Sequence, residues 1–319
     1  MSENTIPPSE KESLHPRNKH RSRYDFDLLT SACEALRPFV SFNKYNVESI
    51  DFANPKAVKA LNQALLKVYY GIEHWDIPDN YLCPAIPGRA DYIHYMADLL
   101  ASCNGGKIPR DEAVTVLEIG IGASCVYPII ANAEYGWDFV ASDIDPVALS
   151  SARSIVASNR TLRGVIEFRL QTSPSAIFRS IVQMRETYDL TICNPPFHSS
   201  AEEAQRGTSR KVHNLGHKKQ DQPVLNFGGQ NNELWCKGGE KSFIDKMIME
   251  SRSIPEKCFW FSTLVSKKTN LPDIYKALKK AEATDVRTIN MEQGQKQSRI
   301  VAWTFLSKEQ QKQWAEQRW

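Results

Sequence analysis

Between Ala113 and Cys193 the apolar residues cluster in short blocks, separated by longer stretches in which they are more widely spaced. The blocks Ala113 to Ile119, Trp137 to Ser142, Val165 to Leu170 and Tyr188 to Cys193 predict strands, the last an apolar and β-branched run that reads as buried. The stretches between them predict helices at Cys125 to Glu134, Pro146 to Asn159 and Ser175 to Met184. Strand and helix alternate, which is the signature of a doubly wound parallel α/β sheet. Downstream, a helix at Glu240 to Ser251, a strand at Cys258 to Val265 and an amphipathic helix at Leu271 to Ala281 follow. Asp285 to Met291, a turn at Glu292 to Ser298, and Arg299 to Leu306 read as an antiparallel hairpin that completes a seven-stranded sheet.

Upstream, Leu28, Leu29, Ala32 and Leu36 give a helix from Asp27 to Leu36 that stops before Pro38. Asn54-Pro55 is an N-cap followed by proline at the first helical position, and the helix it opens carries Val58, Leu61, Leu65 and Val68 on one face as far as Tyr69. A third helix, Ala90 to Ala101, has Arg89 at its entrance. The expected organisation is a disordered tail (1–14), a small basic helical module (15–80), a main α/β domain (81–306) and a polar tail forming a frayed helix (307–319). Residues 198–239 show little periodicity, and a loop of that length is either functional or disordered.

The chain has no apolar run long enough to span a bilayer and no apolar signal core, which predicts a soluble, cytoplasmic protein. Its seven scattered cysteines, with no CxxC pair, fit reduced thiols. His213 and His217 lack companion ligands, so no metal is expected. The net charge of +3 is unremarkable, but its distribution is not. Arg17, Lys19, Arg21 and Arg23 alternate through a carboxylate-free run, with Tyr24 and Phe26 beside it to stack on bases. Arg206, Arg210, Lys211, Lys218 and Lys219 form a second cluster in the long loop. Such runs are often only solvated surface; two of them suit a polyanionic partner.

Glu118-Ile119-Gly120-Ile121-Gly122 ends a strand and precedes a helix, the arrangement that lets a nucleotide-like cofactor approach the backbone. Asp143, at the end of the next strand, suits ribose hydroxyls. Cys125 stands where a dinucleotide fingerprint has its third glycine, which disfavours a pyrophosphate and favours S-adenosylmethionine. After the strand Tyr188 to Cys193 comes Asn194-Pro195-Pro196-Phe197, whose two prolines force a rigid, extended exit from the sheet. This is either a stiff strand exit or a clamp: the Asn194 side-chain oxygen and the Pro195 carbonyl can accept both hydrogens of a planar NH2 group while Phe197 stacks on its ring.

The segments EIGIGASC, NPPF, HPRNKHR, IDFANP, IPGRADYIHY and QGQKQSRIVAWTF together resemble the bacterial 23S ribosomal RNA adenine-N6 methyltransferase family, which has methyltransferase-like protein 16 as its eukaryotic relative. The resemblance runs from about His15 to Phe305. It implies a class I S-adenosylmethionine-dependent methyltransferase fold, Rossmann-like, that methylates one adenine of 23S ribosomal RNA, naked or in a large-subunit assembly intermediate. It further implies Gly120, Gly122 and Ser124 near the methionine moiety, Asp143 on the ribose and Arg89 on the carboxylate, with Glu118 in the same site where relatives can carry Asp. Asn194, Pro195, Pro196 and Phe197 map as the amine clamp, and the two basic clusters as RNA contacts. Glutamine or DNA adenine methylation uses the same clamp, and a non-catalytic RNA-binding factor would keep the same fold.

Overall fold

The computed structural model describes residues 11–200, 202–203, 231–293 and 296–319. A two-stranded ribbon, β1 (Val40–Phe42) and β2 (Glu48–Ile50), precedes the main sheet. That sheet has seven strands: β3 (Thr115–Ile119), β4 (Asp138–Asp143), β5 (Ile166–Leu170), β6 (Tyr188–Cys193), β7 (Cys258–Val265), β8 (Asp285–Gln293) and β9 (Lys296–Thr304), in the order β5-β4-β3-β6-β7-β9-β8. The first five run parallel, and β9 is antiparallel to both β7 and β8. Every residue of β6 and β7 is buried, which is why those segments read as apolar blocks rather than alternating ones. The register aligns the strand ends. Ile119 pairs with Ser142 on one side and Cys193 on the other, so the loops leaving β3, β4 and β6 emerge side by side on one edge.

The helices form where polarity and capping agree. Near the N-terminus lie α1 (Phe26–Ala32) and α2 (Pro55–Tyr70). Asn54 caps α2 by accepting from Lys56 N and Ala57 N, and Gly71 closes it in the left-handed region. Leu29, Leu36, Leu61 and Leu65 belong to the same apolar cluster as Ile93, Phe139 and Trp260, so these helices share the core of the main sheet. α3 (Ile86–Ser102), α4 (Val126–Tyr135) and α5 (Pro146–Ser158) cover the sheet.

Several local expectations are corrected. The first helix ends at Ala32 and continues as a 3-10 segment, Glu34–Phe39, that accommodates Pro38. α3 begins at Ile86, so Arg89 lies in its first turn rather than before it. Ser175 to Met184 forms turns and no helix. Glu250 Oε2 instead accepts from the amides of Ile177, Phe178 and Arg179, at 2.9, 2.8 and 3.3 Å, and Ser180 takes φ +69°, so the hydrogen bonds and dihedrals of a helix are given up. The strands β8 and β9 pair as far as Gln293 and Lys296, well into the expected turn. Residues 11–14 are placed rather than disordered: Lys11 N donates to Arg21 O at 2.8 Å and Leu14 is buried. The terminal helix Lys308–Arg318 is not frayed, because Ser307 and Gln310 form a capping box and Asp189 anchors its far end.

The basic run His15 to Arg23 clasps α3 from outside. Asp91, 1% exposed, accepts from His15 N at 2.9 Å and from Asn18 Nδ2 at 2.6 Å. Arg17 pairs with Asp98 at 2.6 Å and donates to Tyr135 Oη at 3.0 Å, while Lys19 pairs with Glu134 at 2.9 Å. Arg21 is half-buried and Arg23 exposed.

His20 and His94 are fully enclosed in this clasp, on Tyr70 and Tyr135 respectively. Burial first, then nearby cations, lower each imidazole from 6.5 to about 3. The unfolded chain protonates both near 6.5, so between those values it binds more protons than the folded chain. Their contribution to stability is therefore complete above pH 6.5 and falls as the pH drops toward 3, with a slope of up to about 1.4 kcal/mol per pH unit for each imidazole. Urea unfolding followed from pH 7 to pH 4.5 is expected to show this slope, and His94→Gln should flatten it; an unchanged slope in the variant would refute the assignment.

Candidate active site

The three aligned strand exits enclose a cavity of about 400 Å³. Gly120 and Gly122 take φ +76° and +64°, the left-handed region where a side chain is strained, and a Cβ on Gly120 would meet nothing within 4 Å. The loop is held open from beneath: Gly120 N and Ile121 N both donate to Ser142 O, at 2.9 and 3.0 Å, and Gly122 N donates to Asp143 Oδ2 at 2.8 Å. Asp143 Oδ1 accepts from Asp145 N at 3.0 Å, and burial pushes its carboxyl above the usual range. Ser124, buried, completes the turn before α4.

Arg89 reaches the cavity from α3. Its Nη1 donates to Tyr127 Oη at 2.9 Å and its guanidinium lies 5.4 Å from the Tyr127 ring centre, because α3 and α4 pack together. Glu118 is 1% exposed and neither of its carboxyl oxygens has a partner among the described residues. Burial, then the Asp143 charge, push it well above the ordinary carboxyl range, against the pull of Arg89.

The exit of β6 is braced. Cys193 N donates to Tyr92 Oη at 3.4 Å, and that hydroxyl bonds Ser262 Oγ of β7 at 2.9 Å. Asn194 comes next, with Pro195 and Pro196 buried behind it. Asn194 Oδ1 is buried without a hydrogen-bond partner among the described residues, an acceptor left for something else. Arg89, Glu118, Gly120, Gly122, Ser124, Asp143, Asn194, Pro195 and Pro196 all line the one cavity. Asn194 and Arg89 also line a second, smaller one of about 60 Å³, together with Phe197, Asp91, Ser266 and Ser298.

These adjoining compartments set a glycine-walled, carboxylate-ended cleft beside a clamp-bearing alcove. The chain matches the profile of an RNA methyltransferase family over residues 9–307. It belongs to that RNA methyltransferase family. A protein of Yersinia enterocolitica called ribosomal RNA large subunit methyltransferase F is 57% identical over 320 residues, covering 100% of this chain and 96% of the relative. The protein of the same name from Serratia proteamaculans is 58% identical over 313 residues, covering 98% and 93%. Among solved structures, the human Mettl16 catalytic domain in complex with MAT2A 3′UTR hairpin 6 superposes with a TM-score of 0.75 at 28% identity, covering 92% of this chain and 98% of that one. The fold is thus that of a class I S-adenosylmethionine-dependent methyltransferase, with the seven-stranded mixed sheet of this RNA methyltransferase family.

The basic clusters expected to face RNA divide in two. Arg17 and Lys19 spend their charge on Asp98 and Glu134, and so act as much in docking the N-terminal run as in facing solvent. Arg206, Arg210, Lys211, Lys218 and Lys219 lie outside the described residues. Among the described residues no group of His, Cys, Asp and Glu is arranged to hold a metal ion, and no helix is long and apolar enough to cross a membrane. Tyr127, Tyr81, Glu233 and Trp235 have places at the cavity or against its lining that no motif announces. Tyr127 meets Arg89 only through helix packing, and Glu233 and Trp235 arrive from the last part of the long loop.

Proposed function

We propose that this chain transfers one methyl group from S-adenosylmethionine to the N6 amino group of a single adenine in 23S ribosomal RNA. The observation that carries the reading is the buried Asn194 Oδ1, without a hydrogen-bond partner among the described residues, on a residue that lines both compartments. The main cavity suits the cofactor: open backbone at Gly120, an acid at Glu118 with no hydrogen-bond partner among the described residues, a guanidinium at Arg89 and a carboxylate at Asp143. Asp143 would hold the ribose, Arg89 the carboxylate, and the Gly120 to Ser124 turn the remainder of the methionine moiety. Bound S-adenosylmethionine supplies an electrophilic methyl group.

The chain's own part is positioning. An adenine amino nitrogen is a poor nucleophile while its lone pair is delocalised into the ring. Asn194 Oδ1 and the Pro195 carbonyl accept its two hydrogens and favour a pyramidal nitrogen with its lone pair aimed into the main cavity. Phe197 stacks on the base. Near-attack alignment of this kind is worth up to about 7–11 kcal/mol, so no general base is needed. The target base must be flipped out or already unpaired. Relatives named for the ribosomal large subunit, and the hairpin-bound human structure, support an RNA substrate; the Arg206 to Lys219 cluster, with Arg21 and Arg23, would contact its phosphates. The compartment of ribosome assembly, the cytoplasm, is then where the protein works.

The test is incubation with labelled S-adenosylmethionine and unmodified 23S RNA, followed by nucleoside mass spectrometry. One N6-methyladenosine per RNA is expected, with little on DNA of the same sequence. Methyl transfer to a glutamine peptide or to the DNA in preference to the RNA would overturn the reading.

A further inference from the structure

One wall of the main cavity is built by the last part of the long loop. The helical turn Asn231–Leu234 is tied to the strand exit: His198 N donates to Leu234 O at 3.0 Å and Cys236 N donates to His198 O at 3.1 Å, one residue beyond Phe197. This tether places Glu233 and Trp235 in the cavity wall. Glu233 Oε2 accepts from Leu82 N at 3.0 Å, and Oε1 lies 3.2 Å from where a Cβ on Gly122 would stand. The carboxylate therefore spans from the connector before α3 to the glycine loop.

Its neighbours indicate which end of the cavity it serves. Tyr81, next to Leu82, donates to Asp145 Oδ2 at 2.7 Å. Burial, then Asp145, with the Glu233 and Asp143 charges adding, raise that phenol. Gly122 thus links Glu233 to Asp143, whose Oδ2 accepts from Gly122 N at 2.8 Å, and Tyr81 brings Asp145 to the same neighbourhood. Carboxylates gathered in one wall favour a ligand that presents hydrogen-bond donors to them. Gly122 N and Asp145 N each take one lone pair on an Asp143 oxygen, leaving one on each oxygen for a ligand. The Gly122-facing oxygen of Glu233 is a second acceptor on the same stretch of cavity.

We propose that Glu233 is a ribose-binding residue for the methyl donor, accepting from a ribose hydroxyl beside Asp143. This rests on S-adenosylmethionine being the ligand of the cavity, and not on which RNA is methylated. A consequence is that donor binding and the path of the chain leaving Asn194-Pro195-Pro196-Phe197 are linked through one side chain.

Calorimetric titration of the full chain with S-adenosylhomocysteine and with its 2′,3′-dideoxy analogue tests it. Glu233→Ala is expected to weaken S-adenosylhomocysteine on the order of 10- to 100-fold and the dideoxy analogue by less than about threefold, because the lost partner is a hydroxyl. S-Adenosylmethionine should weaken as much as S-adenosylhomocysteine, since the contact does not involve the sulfonium. Glu233→Gln, which keeps the side-chain shape should the alanine variant loosen the segment, is expected to show the same selectivity with a smaller loss. Equal weakening of both analogues would reduce Glu233 to a staple on Leu82 and overturn the proposal. Unchanged or tighter binding would overturn it as well. A wild-type protein that binds none of these compounds would sink the cofactor assignment and this proposal together, whereas intact binding with no RNA methylation would refute only the RNA reading.

Discussion

Replacing Asn194 with alanine is expected to lower kcat for methyl transfer to 23S RNA by about 10³-fold or more, comparable to deleting a preorganised hydrogen-bonding group from a transition state. The affinity for S-adenosylmethionine should stay within about threefold of wild type, because the rest of the donor's site survives. Asn194 Oδ1 is buried with no partner among the described residues, and the two prolines behind it are themselves buried, so the side chain is held ready at no further ordering cost. What the variant loses is an interaction that strengthens as the amino nitrogen becomes pyramidal, and such losses appear in kcat rather than in KM. Single-turnover kinetics at saturating RNA, paired with a cofactor titration, make the measurement. A variant that retained more than a tenth of the wild-type rate would remove Asn194 from the reaction.

Asp189→Ala is expected to destabilise the protein by about 3–5 kcal/mol, the scale for removing one partner of a buried charged network. Asp189 has no solvent exposure and sits at the start of β6, at the opposite end of the strand from Asn194. Its oxygens accept from Thr115 N at 2.8 Å, from Trp314 Nε1 at 2.8 Å, from Trp319 Nε1 at 3.1 Å, and from Arg318 Nε and Nη2 at 3.0 and 2.9 Å. Removing the carboxylate strands a guanidinium, two indole donors and a strand amide together. Arg318→Ala should cost less, since Asp189 would keep its three neutral donors. Equilibrium urea unfolding at pH 7 reads both; a loss below about 1 kcal/mol for Asp189→Ala would show that the terminal helix is not anchored there. Trp314 and Trp319, which pack against Phe259, provide a fluorescence probe of whether the helix leaves before the sheet unfolds.

Asn194 and Asp189 differ in how far their signals reach along the chain. Asn194 is visible because a strand signal runs straight into two prolines, and a strand exit is a local event. The role of Asp189 in holding the chain's end is invisible, because most of its partners come from residues more than a hundred positions away, within a segment whose polar composition suggests a loose tail. Ser175 to Met184 fails for the same reason. Its periodicity fits a helix, yet Glu250, on a distant helix, takes three of its amides. The basic run His15 to Arg23 reads as a free cationic arm, but Asp91, Asp98 and Glu134 turn much of it into packing.

By itself the sequence determined the alternation of strands and helices, the glycine turn after β3, the acid after β4 and the rigid exit from β6, since each depends on backbone preferences and hydrophobic period within a few neighbouring residues. Only the tertiary structure decided that Arg89 meets Tyr127, that Glu118 lies buried with no hydrogen-bond partner among the described residues, and that Glu233 stands over Gly122. Those relations depend on strand register and helix packing, which bring together groups far apart along the chain.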